Sequence, residues 1–166
     1  MSARRSDIRV RLVGATEHAE LRAARLWSLA DSDHLVEHLR RETAAPLDFW
    51  RDRAERGAAG TAMATYVAVD ESEFRGLIDG FLSEDGRTVE IGGMWVSPAL
   101  RRSGIGRELL GAACEWARGR GAERAGLWVR AVNWPARLLY EREGFELAAS
   151  SDHSGDTGLR FERLLG

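Results

Sequence analysis

From Ile8 to Val13 apolar and charged residues alternate, with Ile8, Val10 and Leu12 set against Arg9 and Arg11. That period of two predicts a strand with one face covered. Past Thr16, read as a helix cap, Leu21, Ala24, Leu26 and Leu29 recur at helical spacing. Asp33 to Leu39 and Pro46 to Arg56 also read as helical; Ala44-Ala45-Pro46 separates them, and Pro46 suits a helix start. Thr61 to Val69, Phe74 to Leu82 and Arg87 to Val96 read as three antiparallel strands, the last two joined through the hairpin signal Asp85-Gly86. Gly104 to Arg120 carries one apolar stripe (Ile105, Leu109, Ala112, Ala113, Trp116), and Gly119 to Gly121 end it. Ala125 to Val132 is a continuous apolar strand. Asn133 to Glu143 is a helix with Pro135 in its first turn and Gly144 at its end. Phe145 to Ala149 and Leu159 to Leu165 are strands flanking a Ser/Asp/Gly-rich loop over 150–158. The predicted order is β-α-α-β-β-β-α-β-α-β-β. This is an α/β chain (an α+β mixed sheet) with a strand-helix-strand crossover over 88–132 and a single domain across 1–166.

Composition narrows the chemistry. With 166 residues, 44% of them hydrophobic and 30% charged, the chain can bury a full core. A net charge of −2 disfavours bulk electrostatic binding to nucleic acid or an anionic membrane. Its 24 positive side chains are all Arg, so a phosphate must be held by guanidinium, hydroxyl or backbone groups. The lone Cys114 rules out an internal disulfide and a cysteine metal cluster; it reads as a small buried hydrophobe. His34 and His38 stand four apart with no third ligand evident, so no metal is expected. The polar start, Met1 to Arg11, lacks a signal-peptide core, and no run of about 18 apolar residues follows, so a cytoplasmic location is expected. The Trp residues 27, 50, 95, 116, 128 and 134 are expected mostly in the core.

The junction after Val96-Ser97-Pro98 holds the sharpest chemistry. Arg101-Arg102-Ser103-Gly104-Ile105-Gly106-Arg107 leads from a strand into the strongest helix. Such a loop aims free N–H groups and the positive end of the helix dipole at one point, and glycines let an anion come close. A P-loop needs a Lys, which the chain lacks. A dinucleotide fingerprint needs Gly or Ala where Leu109 stands.

These residues resemble the GCN5-related N-acetyltransferase (GNAT) family. Its central motif, Arg/Gln-x-x-Gly-x-Gly/Ala after Val-x-Pro, stands here as Val96-Ser97-Pro98 and Arg101 to Gly106. Its second block, Asn-x-x-Ala-x-x-Leu-Tyr-x-x-x-Gly-Phe, stands as Asn133 to Phe145. The resemblance implies that two central strands splay and that acetyl-CoA lies in the gap. Met94, Trp95 and Val96 would give main-chain contacts to its pantetheine arm. The N–H groups of Arg102, Ser103, Gly104, Ile105, Gly106 and Arg107 would hold the pyrophosphate, beside Arg101. Asn133 would line the arm, although a helix cap explains it equally well. Tyr140 would be the general acid for the leaving thiolate. Glu90 would be the base, with Asp79 as runner-up base or amine-binding anion and ordered water as the further alternative.

The implied reaction is acetyl transfer to a primary amine in a ternary complex, with a small-molecule acceptor. Two other readings stay open: a non-catalytic CoA-binding sensor, and a protein N-terminal or side-chain acetyltransferase. A homodimer is also left open. The acceptor would be chosen by segment 27–60, where Trp27 or Trp50 could line the pocket, and by loop 150–158. Asp31, Asp33, Asp152 and Asp156 in these stretches suit a cationic amine, or are ordinary solvated acids.

Overall fold

The computed structural model describes residues 5–153 and 155–166; Met1 to Arg4 of the polar start and Ser154 of the 150–158 stretch lie outside them. Seven strands form one mixed sheet: β1 (Arg9–Leu12), β2 (Met63–Asp70), β3 (Glu73–Leu82), β4 (Thr88–Val96), β5 (Arg124–Arg130), β6 (Glu146–His153) and β7 (Asp156–Leu164), ordered β1-β2-β3-β4-β5-β7-β6. The β4–β5 pair is parallel; the others are antiparallel. Among the described residues three α-helices precede β2, not the two of the expected order: α1 (His18–Ala30), α2 (Val36–Thr43) and α3 (Leu47–Ala59). Ala44-Ala45-Pro46 breaks the run, because the ring of Pro46 bars the residue before it from helical backbone.

The parallel pair is joined by the crossover helix α4 (Ile105–Gly119); α5 (Trp134–Arg142) follows β5. On one sheet face Ile105, Leu109, Leu110 and Ala113 of α4 pack with Ile78, Val89, Leu127 and Phe161. On the other, Leu21 and Ala24 of α1 and Ala54 of α3 pack with Val67 and Leu77. Cys114 is buried in the first core, and desolvation pushes its thiol pKa up.

Three local expectations change. Glu17, not Thr16, precedes α1; its carboxylate accepts Gly14 N–H at 2.7 Å and pairs with Arg11. The 150–158 stretch is mostly strand, because β6 is an outer strand with largely exposed side chains, where polar residues cost nothing. Trp50 and Trp95 are buried, but Trp27, Trp128 and Trp134 are exposed. Trp50 therefore cannot line an open pocket. Among the described residues, no helix is long and apolar enough to cross a membrane.

Candidate active site

The sheet opens at its centre. β4 and β5 pair only from Thr88/Arg124 to Ile91/Leu127, yet β4 runs on to Val96 and β5 to Arg130. Through this stretch β4 remains bonded to β3, with Leu77 opposite Trp95 and Gly76 opposite Val96. The β5-facing edge of β4 is thus left without a strand partner. A bulge turns β4 at the same place: the β3–β4 register shifts between Leu77 and Asp79, and Gly93 has φ +60. A Cβ at Gly93 would come within 3.1 Å of Asp79 Oδ2, so glycine serves both the backbone and the close approach.

The glycine loop lies at the open end. After the turn Pro98–Leu100, Arg102 takes φ +63 and Gly104 φ +89, and α4 begins with no side-chain cap. Among the described residues none of the N–H groups from Arg102 to Arg107 donates a hydrogen bond. A row of unspent donors at the start of a 15-residue helix favours an anion. Nothing lies within 4 Å of a Cβ built on Gly104, while one on Gly106 would press on Leu139 at 3.3 Å. These residues therefore fit a pyrophosphate.

The three arginines differ in availability. Arg101 pairs with Asp31 and donates from Nε to the Val96 carbonyl at 3.0 Å. Arg107 pairs with Glu143 at 2.9 Å. Arg102 is exposed and, among the described residues, has no ion-pair partner. Ser103 is turned into the loop, its Oγ donating to Leu100 O and its carbonyl accepting Arg5 Nε at 3.0 Å. Trp95 sends its side chain away from the gap, edge-on to Trp27 at 4.9 Å.

Asn133 caps α5: its Oδ1 accepts Ala136 N–H at 3.3 Å. Tyr140 lies in the α4-side core that also contains Val96, Ile105 and Val129, its ring 6.0 Å from Phe145 and 6.4 Å from Phe161. Among the described residues its hydroxyl makes no hydrogen bond, and desolvation raises its pKa to about 12. The phenol stays protonated at neutral pH.

The two candidate bases sit on the opposite face, in different settings. Asp79 is buried, accepting Thr65 Oγ1 at 2.6 Å and Arg53 at 2.9 Å. Arg53 also faces Glu42 at 3.6 Å, and Glu42 is held by both Nε and Nη2 of Arg25. Asp79 thus belongs to a buried charge chain tying α1, α2 and α3 to the sheet. Glu90 is partly open, and both its oxygens accept from Arg160, at 2.6 and 2.5 Å. Sequence reasoning missed Arg160, which lies 70 residues away.

The acids of the variable segments are engaged. Asp31 accepts from Trp95 Nε1 at 3.0 Å and from Arg101. Burial pushes its pKa up, but those bonds and the Arg101 charge outweigh this and hold it below the usual range. Asp33 and Asp156 both pair with Arg130, at 3.4 and 2.7 Å, and Asp152 accepts Thr157 Oγ1 at 2.6 Å.

The Acetyltransferase (GNAT) family profile matches residues 23–145. No curated protein matches the chain significantly. Among solved structures, the acetyltransferase of the GNAT family from Streptococcus pneumoniae superposes with a TM-score of 0.83 at 20% identity, covering 96% of this chain and 99% of that one. The paia N-acetyltransferase from Thermoplasma acidophilum in complex with coenzyme A gives 0.73 at 18% identity, covering 92% and 97%. Nourseothricin acetyltransferase gives 0.59 at 30% identity; that match spans 63% of this chain and 66% of that enzyme. With the family profile matching over most of its length and the glycine loop set beside two parting strands, this chain belongs to the GNAT family of acetyltransferases.

Proposed function

We propose that the protein transfers the acetyl group of acetyl-CoA to the primary amine of a small molecule, by direct attack in a ternary complex. The observation that carries this reading is the row of unspent N–H groups from Arg102 to Arg107 at the mouth of the gap between β4 and β5. The likeness to an N-acetyltransferase in complex with coenzyme A supports the same donor. Gly104 leaves the loop open to the pyrophosphate, Gly106 leaves room for Leu139 behind the helix start, and Arg102 adds a guanidinium. The β5-facing edge of β4 over Met94 to Val96 has backbone groups to spare for the pantetheine amides.

The thioester supplies the electrophilic carbonyl; a C–N bond forms there as the C–S bond breaks. Tyr140 keeps its proton at neutral pH and gives it to the departing sulfur, then regains one from solvent. Asp79 is spent on Thr65 and Arg53. In this reading Glu90, expected from the sequence as the base, is open to the acceptor side and binds the amine. Ordered water, the alternative, takes one proton from the ammonium before the amine attacks and a second as the amide forms.

The test is thiol release from acetyl-CoA with a panel of primary amines, alongside CoA binding by calorimetry. Release that depends on an amine is the expected result. CoA binding without turnover across the panel would favour a sensor, and turnover only with peptides would favour a protein acetyltransferase.

A further inference from the structure

On the helix-poor part of the acceptor-side face, two side chains are exchanged across a strand pair. Trp128 of β5 and Arg160 of β7 stand directly opposite in register. Each leans over a glycine two residues back on the other strand. The Trp128 ring lies over Gly158, where a Cβ would meet it at 3.5 Å, and the Arg160 guanidinium lies over Gly126, where a Cβ would overlap it. Leaning this way, Arg160 crosses β5 entirely and reaches Glu90 on β4.

The position of this bridge matters. Glu90 pairs with Gly126 one residue before the β4–β5 ladder ends. On its other side it faces Phe81, which is 40% exposed, while Trp128 is 53% exposed. The bridge therefore sits at the closed end of the gap, on a face open to a ligand. It also shows its negative end: the Glu90 side chain is 46% exposed and that of Arg160 13%. Arg130 repeats the pattern beside it, covered by the more exposed Asp33 and Asp156. Arg160 has a second carboxylate, Glu162 at 3.4 Å, which Arg124 also holds at 2.8 Å. Carboxylates outnumber the arginines they cover, so the face favours a cation.

Resting on the reaction proposed above, we infer that Arg160 is a positioning residue that presents Glu90 to the ammonium group of a cationic acceptor, and that Gly126 is the opening through which it does so. Arg160 touches neither substrate. A bidentate guanidinium fixes the direction of a carboxylate as well as its charge, which a point charge does not. The unused lone pairs of Glu90 then point to one place at the edge of the gap.

The test uses the full chain and steady-state rates with acetyl-CoA and three probe amines: tryptamine, spermidine and n-hexylamine. Arg160→Met and Gly126→Ala are each expected to raise the amine KM about tenfold or more, with the acetyl-CoA KM within about twofold of wild type. Arg160→Lys should recover part of the loss. Glu90→Gln added to Arg160→Met should cost little more, since both act through one contact. Melting temperatures show whether each variant folds, and Arg160→Lys keeps the inference testable if Arg160→Met does not. Unchanged amine KM in the folded variants, or an equal rise in both KM values, would overturn the inference alone. A wild type that acetylates none of the amines would overturn the reaction proposed above and the inference with it.

Discussion

Asp31, the residue closing α1, accepts the indole N–H of Trp95 at 3.0 Å, and the same oxygen is held by Arg101. One carboxylate thus joins α1, the strand that borders the gap and the first residue of the glycine loop. Arg101 is thereby an anchor for the loop: its Nε holds Val96 O while its Nη2 holds Asp31.

Asp31→Asn should loosen this joint. The expected result is a fall in stability of about 1–2 kcal/mol and a rise in the acetyl-CoA KM that exceeds any rise in the amine KM. The pH dependence follows from the sign of the shift. Burial raises the Asp31 pKa, but the Trp95 and Arg101 contacts lower it further than burial raises it. Its stabilisation is therefore present above the unfolded value of about 4 and is lost as pH falls through the lower folded value. Denaturant melts of wild type and variant should differ at neutral pH and converge in acid; a constant gap would argue against the ionised carboxylate.

Tyr140→Phe should lower kcat at least tenfold and leave CoA affinity near normal. The hydroxyl, with its pKa raised to about 12 by desolvation, stays protonated across the usual assay range. Wild-type kcat should then show no basic limb from this group below about pH 11. Unchanged turnover in the variant would remove Tyr140 from the mechanism.

Asp79→Ala should act on folding. Asp79 is buried and paired with Arg53, so its loss takes the acceptor from Thr65 and leaves two arginines, Arg53 and Arg25, sharing the one carboxylate of Glu42 inside the α1–α3 layer. A loss of about 3–5 kcal/mol is expected from chemical denaturation. A variant of unchanged stability that has lost only turnover would instead make Asp79 the base.

Gly104→Ala should weaken CoA binding. Its added Cβ meets nothing within 4 Å, so the cost comes from φ +89, about 1–2 kcal/mol for a non-glycine residue. Relief of that strain would turn the N–H row. Calorimetry should show the CoA Kd rising about fivefold or more; an unchanged Kd would mean that the loop geometry does not set affinity.

Local signals made much of this legible. The Asp85-Gly86 turn and the two glycines of the loop act within a few residues and stand where the spacing puts them. The α4 stripe keeps Ile105, Leu109 and Ala113, but Leu110, Cys114 and Ala117 are buried in place of the expected Ala112 and Trp116. Long-range partners could not be read. Nothing near Glu90 announces Arg160, because the two meet only once β7 lies beside β5 and Gly126 leaves room. Asp31 reads in the sequence as an acid for a cationic amine or as solvated surface, because its partners, Trp95 and Arg101, lie 64 and 70 residues on. Trp128 reads as core for the same reason: a continuous apolar strand does not show that α1 and α3 stop short of that part of the sheet. The strand character of 150–153 was hidden because an outer strand tolerates the polar residues that usually mark a loop.

The most direct measurement is a crystal structure of the complex with CoA. The expected result places the pyrophosphate oxygens within hydrogen-bond distance of N–H groups between Arg102 and Arg107, with the pantetheine arm between β4 and β5 against Met94 to Val96. CoA bound elsewhere on the molecule, or a β4–β5 ladder closed through Val96, would contradict the account.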